Sequence, residues 1–362
     1  MNSSYKEQLE ITNCEVKNCS VIANAWNAGG IIGSAGSAKN IITDNVVNNL
    51  SIANKQGTNC GSGGLIGTFA GGTIDVERCD VIKTSICPTG FPTFKIGGII
   101  ATVKTSGYGD RKININECNV LGTSMGSAGS YIDIGGIIGV FGNGSTCGVT
   151  ITKCNVGNYT DENNEVTKTI MRVSGTQISI AGIIAEDWSS STIKIEDCNV
   201  YDTEMNIVAG GDQNSMGAII GSAGSNVIDI SNCTVTNNEF TLNTAVKYIC
   251  VGGMIGLIKG NSVNISDCSV KENNINSAYA DLGGIIGYNS TYGTIINNCQ
   301  VSDFDVTQFG TLGYNVGNTG GIIGYTNSYI ELTGCEVNKI NIDKGGQNVG
   351  GFVGYMTSTP GH

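Results

Sequence analysis

One short block recurs ten times along this chain, and no other feature limits the fold as strongly. Gly-Gly-Ile-Ile-Gly, or a close variant, begins at Gly29, Gly63, Gly97, Gly135, Ala181, Gly217, Gly252, Gly283, Gly320 and Gly350. The intervals of 30 to 46 residues fall in the range of solenoid and propeller repeats. After each block come a polar link and the pattern apolar, x, apolar, x, x, Cys, x, Val, written once as Ile74, Val76, Cys79 and Val81. The cysteine column runs Cys14, Asn45, Cys79, Cys118, Cys154, Cys198, Cys233, Cys268, Cys299 and Cys335. Two residues later every repeat carries valine, from Val16 to Val337.

The alternation before the cysteine has period two, which specifies a strand with one face buried. Two residues then separate the last apolar position from Cys, so the chain turns a corner or bulges there. One such unit cannot bury its apolar face alone. Stacked in register about 4.8 Å apart, the units bring like onto like and close a continuous core. Each repeat then contributes about six inward side chains, stabilised by roughly 1.5–3 kcal/mol apiece before conformational entropy is subtracted. The sequence therefore predicts an all-β fold, a right-handed parallel β-solenoid of about ten turns. It occupies residues 9–357 as a single domain, with 1–8 a leader or partial cap and 358–362 a tail. The start at Met1, almost inside a repeat, suggests a piece of a longer chain.

Gly64-Leu65-Ile66-Gly67 spells the motif that names the GLUG repeats, and Gly30-Ile31-Ile32-Gly33 and Gly321-Ile322-Ile323-Gly324 are near variants. Over residues 9 to 357 the chain resembles an array of such repeats. The resemblance implies a region of a bacterial surface or secreted protein, of the kind that accompanies immunoglobulin A-cleaving metallopeptidases. The chain has no HExxH sequence, so peptidase activity does not follow from it.

The only histidine is His362, which removes Ser-His-Asp and Cys-His catalysis and the commonest zinc sites. No cofactor or metal is expected: CxxC spacing, the EF-hand loop and the glycine-rich calcium nonapeptide are all missing. The net charge of -11 without a basic stripe argues against nucleic acid, and no apolar run of roughly 18 residues argues for membrane insertion. The column cysteines read as a buried ladder of small apolar side chains. For Cys19, Cys60, Cys87, Cys147 and Cys250, outside the column, a disulfide stays open.

Three places carry candidate chemistry. The fifth repeat is the least regular: Glu186, Asp187 and Trp188 follow its block, and residues 157–180 form its longest insertion, with an acidic run from Asp161 to Glu165. An exposed Trp beside acids suits a sugar or protein contact. The last three blocks are each followed by tyrosine, Tyr288, Tyr325 and Tyr355, a potential aromatic stack for a ligand. Asp75 and Glu77 lie two apart on an exposed strand face, about 7 Å from each other, but no further acid or Arg row supports them as a catalytic pair. The Ile-Ile pair raises a separate difficulty. Strict alternation would turn Ile31, Leu65, Ile99 and Ile137 outward, so the variable insertions are expected to cover that stripe and leave the tyrosine end for binding.

The leading expectation is a non-enzymatic module at the cell surface or outside the cell, acting in adhesion to a protein or glycan ligand or as a rigid scaffold. The alternatives are a carbohydrate-active β-helix enzyme, lyase or glycosidase, using carboxylates only, and a self-assembling structural protein joined end to end or laterally through open strand edges.

Overall fold

A computed structural model describes residues 7–55, 60–90, 92–104, 111–142, 147–189, 192–211, 213–225, 227–243, 249–278, 280–309, 317–343 and 346–357. The tail expected at 358–362 and most of the expected leader lie outside them. Regular structure among the described residues is strand throughout. No helix there is long and apolar enough to cross a membrane.

The third coil shows the unit. Thr73–Glu77 forms the first face, Asp80–Ile82 and Ser85–Ile86 the second, Thr93–Gly97 the third and Ile100–Val103 the fourth. The first, third and fourth faces are each a ladder of ten strands, and the second is a broader sheet of eighteen. Successive coils pair parallel and in register, Ile74 on Ile113 and Val81 on Val120. The chain is thus a parallel β-solenoid of ten rungs, about nine turns, roughly 43 Å from first rung to last at about 4.8 Å per step.

The break in alternation before the cysteine is a left-handed corner. The residue preceding the column has φ near +50° in every repeat, for example Arg78 at 49°, Glu117 at 53° and Asp197 at 55°. One such residue reverses the side-chain direction and puts Cys and the second Val inside together. Cys79, Cys118, Cys154, Cys198, Cys233, Cys268 and Cys299 are buried, as is every valine from Val47 to Val301. The ladder opens at its ends, where Cys14 is exposed and Cys335 half-buried. Asn45 keeps its place by bonding. Its Oδ1 accepts the Cys14 backbone N–H at 2.9 Å, and its Nδ2 donates to the Ile11 carbonyl at 2.9 Å. Every cysteine whose side chain is described is an unbridged thiol, so Cys19, Cys87, Cys147 and Cys250 form no disulfide; Cys60 lies outside this comparison.

The Ile-Ile stripe is covered by the corner itself, which corrects the expectation that insertions would do so. Leu65, Ile99, Ile137, Ile183 and Ile219 are fully buried together with their successors Ile66, Ile100, Ile138, Ile184 and Ile220. Between the third and fourth faces the chain bends back on itself. The outside of a re-entrant bend is crowded and its inside splayed, so only glycine, or alanine at Ala181 and Ala218, stands outside while two large aliphatics fit within. A Cβ on Gly135 would stand 1.8 Å from the Ile138 carbonyl oxygen, and one on Gly136 would stand 2.1 Å from the Gly182 oxygen. The insertion expected over 157–180 is shorter than that, since Thr169–Ser174 and Gln177–Ala181 pair in register as the second and third faces of their rung. Tyr159–Thr160 and Val166–Thr167 make a small antiparallel hairpin against the second face, where Lys83 Nζ sits 4.7 Å from the Tyr159 ring centre and 3.6 Å from Asp161.

Candidate functional site

The re-entrant bend leaves a groove along the molecule, because side chains pointing outward from the third and fourth faces converge across it. One wall is the residue two places before each glycine block: Lys95, Asp133, Ser179, Ser215, Cys250 and Asp281 on successive rungs. The opposite wall is the residue after each block, running Thr102, Val140, Glu186, Ser222, Leu257, Tyr288, Tyr325 and Tyr355. Toward the N-terminal end the walls touch: Thr68 Oγ1 donates to Asn27 Oδ1 at 2.6 Å, and Gly61 leaves no room for a Cβ against Thr68 and Thr102. In the middle rungs the groove opens to about 730 Å³, with Tyr131, Gln177, Gln213, Trp188 and Lys259 completing its rim.

Two carboxyl groups face each other across it, Asp133 on one wall and Glu186 on the other, with Trp188 beside Glu186 on the rim. Burial raises both carboxyls above their ordinary range. It acts most strongly on Asp133, where the negative charge of Glu186 adds to it and Lys95 opposes it. Bonds from Trp188 and Asp133 hold Glu186 lower than burial alone would. Both carboxyls are thus held above their ordinary range by the same cause, removal from water. Further along, burial pushes Asp281 up to about 6 against two bonds from Asn318, whose Nδ2 lies at 2.7 Å and backbone N at 3.0 Å.

Of the residues singled out in the sequence, Glu186, Trp188 and Tyr288 come together in this groove. Tyr288 stacks on Tyr325 with ring centres 4.7 Å apart and planes at 12°, and Tyr325 on Tyr355 at 5.7 Å and 32°, continuing the same ladder toward the C-terminal end. Asp187 does not take part. As the neighbour of Glu186 on one strand it points the opposite way, into the interior, and is 1% exposed. There it accepts bonds from the Ser189 backbone and hydroxyl and from the Ser225 hydroxyl. The hairpin that carries Asp161 is on another face. Asp75 and Glu77 also stand apart from the groove, in a shallow dip where Asn114 Nδ2 donates to Asp75 at 2.7 Å and Asn116 Nδ2 to Glu77 at 3.4 Å.

Sequence reasoning missed the whole opposite wall: Lys95, Asp133, Ser179, Ser215 and Asp281. A signal existed, since all stand two residues before the block start. The position is variable in chemistry, and no alignment of the apolar columns draws attention to it. Chemically the groove offers hydroxyl, amide and carboxyl groups between aromatic surfaces. Among the described residues no three His, Cys, Asp or Glu gather as a metal-binding group. Compared with protein-family models, with curated proteins and with solved structures, the chain matches none.

Proposed function

We propose that this chain is a non-enzymatic repeat module of a cell-surface or secreted protein and that its groove holds one strand of a glycan. The observation that carries this reading is the groove: a cleft parallel to the solenoid axis, polar along its walls, with Trp188 and Tyr288 on its rim and the tyrosine ladder extending beyond. Sugars present hydroxyls around their edge and C–H surfaces on their faces. Polar walls meet the former and aromatic rings the latter. A rigid stack of rungs holds these groups in place without ordering a loop, which reduces the entropy lost on binding. The GLUG-like blocks support a surface or secreted setting. They form the re-entrant corner that makes the groove, so the motif and the binding surface are one feature.

Titration of soluble hexasaccharides by isothermal calorimetry tests the proposal. Binding should be saturable, and Trp188→Ala or Tyr288→Ala should weaken it by about tenfold or more. Binding that ignores both substitutions, or release of shortened oligosaccharides during the titration, would count against a non-enzymatic groove module.

A further inference from the structure

We infer that copies of this chain join head to tail, the last rung of one stacking on the first rung of the next, so that the solenoid continues through the joint. The inference stands on the two ends of the molecule and is independent of the glycan reading.

The observation that carries it is a glycine that this chain by itself does not need. The second glycine of each block is required by the rung that follows: a Cβ on Gly30, Gly98, Gly136, Gly253, Gly284 or Gly321 would stand 2.0–2.2 Å from a carbonyl oxygen of that next rung. Alanine takes the place once, at Ala218. Gly351 holds the same position on the last rung, and a Cβ there would meet nothing within 4 Å. The last rung is shaped for another to follow it.

Hydrogen bonding sets the direction. At the preceding bend the Gly321 N–H donates to the Gly350 carbonyl at 3.2 Å, and the Ile322 and Ile323 N–H groups donate to the Phe352 carbonyl at 2.9 and 3.0 Å. The last bend repeats these donors on Gly351, Phe352 and Val353, and no described residue accepts from them. The matching acceptors, the Gly29 and Ile31 carbonyls, lie on the first rung at the opposite end. A donor edge meets an acceptor edge only head to tail.

The apolar columns agree. Leu332 and Val337 are half-buried on the last rung and Ile11 and Val16 on the first, whereas Val76 and Val81 in the same columns are 1% and 0% exposed. Stacking would set Leu332 over Ile11 and Val337 over Val16, and would cover Phe352, now 45% exposed, with Ile31. Solenoids that stay monomeric close their ends with polar caps, and among the described residues neither end carries one. Two like-charged pairs oppose the joint, Glu331 on Glu10 and Glu336 on Glu15. All four are exposed, so salt screens their repulsion. A contact that joins unlike ends without closing a ring produces an open row of copies.

Sedimentation velocity of the full chain from about 1 μM to about 100 μM should show mass rising with concentration, and association should strengthen by about threefold or more as salt rises from about 0.05 M to 0.5 M. Gly351→Val places its side chain in open space within one copy but against the backbone of the next. It should leave the melting temperature of the dilute chain unchanged and weaken association by about tenfold or more. Stacking also sets Cys335 over Cys14 with Cα atoms about 4.8 Å apart, a separation that a disulfide spans. Diamide, which takes up the two thiol hydrogens as the S–S bond forms, should therefore link Cys14 of one copy to Cys335 of another, as read by peptide mapping.

A single species of monomer mass across the whole concentration range would overturn the inference and leave the end rungs to a different partner. Association that Gly351→Val does not weaken would overturn it as well, and so would cross-links that join Cys335 to Cys19 or Cys87 instead of Cys14, since those report lateral contact.

Discussion

A single side chain matters here through the column it belongs to. Val235 is fully buried between Val200 and Val270 on the neighbouring rungs, while Asp229 lies half-buried on the outer side of the first face, accepting from Asn264 at 2.8 Å. Val235→Ala should cost about 1–3 kcal/mol, because the rungs above and below fix the backbone and the cavity cannot collapse. Asp229→Asn should change stability by less than about 0.5 kcal/mol. Urea melts of the two variants provide the comparison, and equal losses would mean that the column does not set the core. Thiols offer a second readout. Cys118, Cys198 and Cys268 should react slowly with a labelling reagent in the native protein, because bonds between neighbouring thiols of the ladder, and burial after them, raise these thiols and burial blocks access, whereas the exposed Cys14 and Cys19 should react quickly.

At the level of the element, the re-entrant corner is the unit that most shapes the molecule. Its crowded side takes glycine, with Ala181 and Ala218 as exceptions on single rungs, and its open side takes two large aliphatics, which is the content of the repeated block. Gly135→Ala would push a methyl group to 1.8 Å from a backbone oxygen unless the strand shifts as it does at Ala181 on the next rung, and so should cost about 1–3 kcal/mol. Gly148→Ala is the control: its nearest neighbour would be the Arg111 oxygen at 3.9 Å, and it should be neutral or slightly stabilising. Thermal melts of both variants distinguish a steric corner from a generally glycine-tolerant strand. The left-handed corners before the cysteines are the complementary element, and most of their residues are Asn, Asp, Glu, Lys or Arg rather than glycine, held at positive φ by the ladder on either side.

For the whole molecule, the buried acids set how stability follows pH. Burial raises Asp187 and Asp281 to about 6 and Asp133 well above its ordinary range. Between about pH 4 and pH 6 the folded chain therefore holds protons that the unfolded chain has lost. Its stability is highest at the acid side of that window and falls as pH rises through it. Each fully buried acid contributes on the order of 1–3 kcal/mol to the decline. Asp44 works in the opposite sense, since a hydrogen bond from Arg78 lowers it and its small surface contribution disappears below about pH 4. Denaturant midpoints should be higher near pH 5 than near pH 7.5, and the difference should shrink in Asp187→Asn. A midpoint that climbs toward neutrality would show that these carboxyls are not buried as described.

The stacking of ten repeats, the burial of the Cys and Val columns and the corner before each cysteine were all legible in the sequence. They follow from local periodicity multiplied by repetition: a pattern that recurs in phase can satisfy itself only by pairing with its own copies. The groove was not legible. Whether two adjacent isoleucines both point inward depends on the sense of a bend, and strand alternation alone assigns one of them to solvent. That same bend decides which variable positions face each other. Glu186 stood out in the sequence because it follows the least regular glycine block, but Asp133, more than fifty residues earlier, comes to face it only when the fourth face folds back over the third. The contact lies between walls rather than along a column, and only the tertiary structure brings walls together.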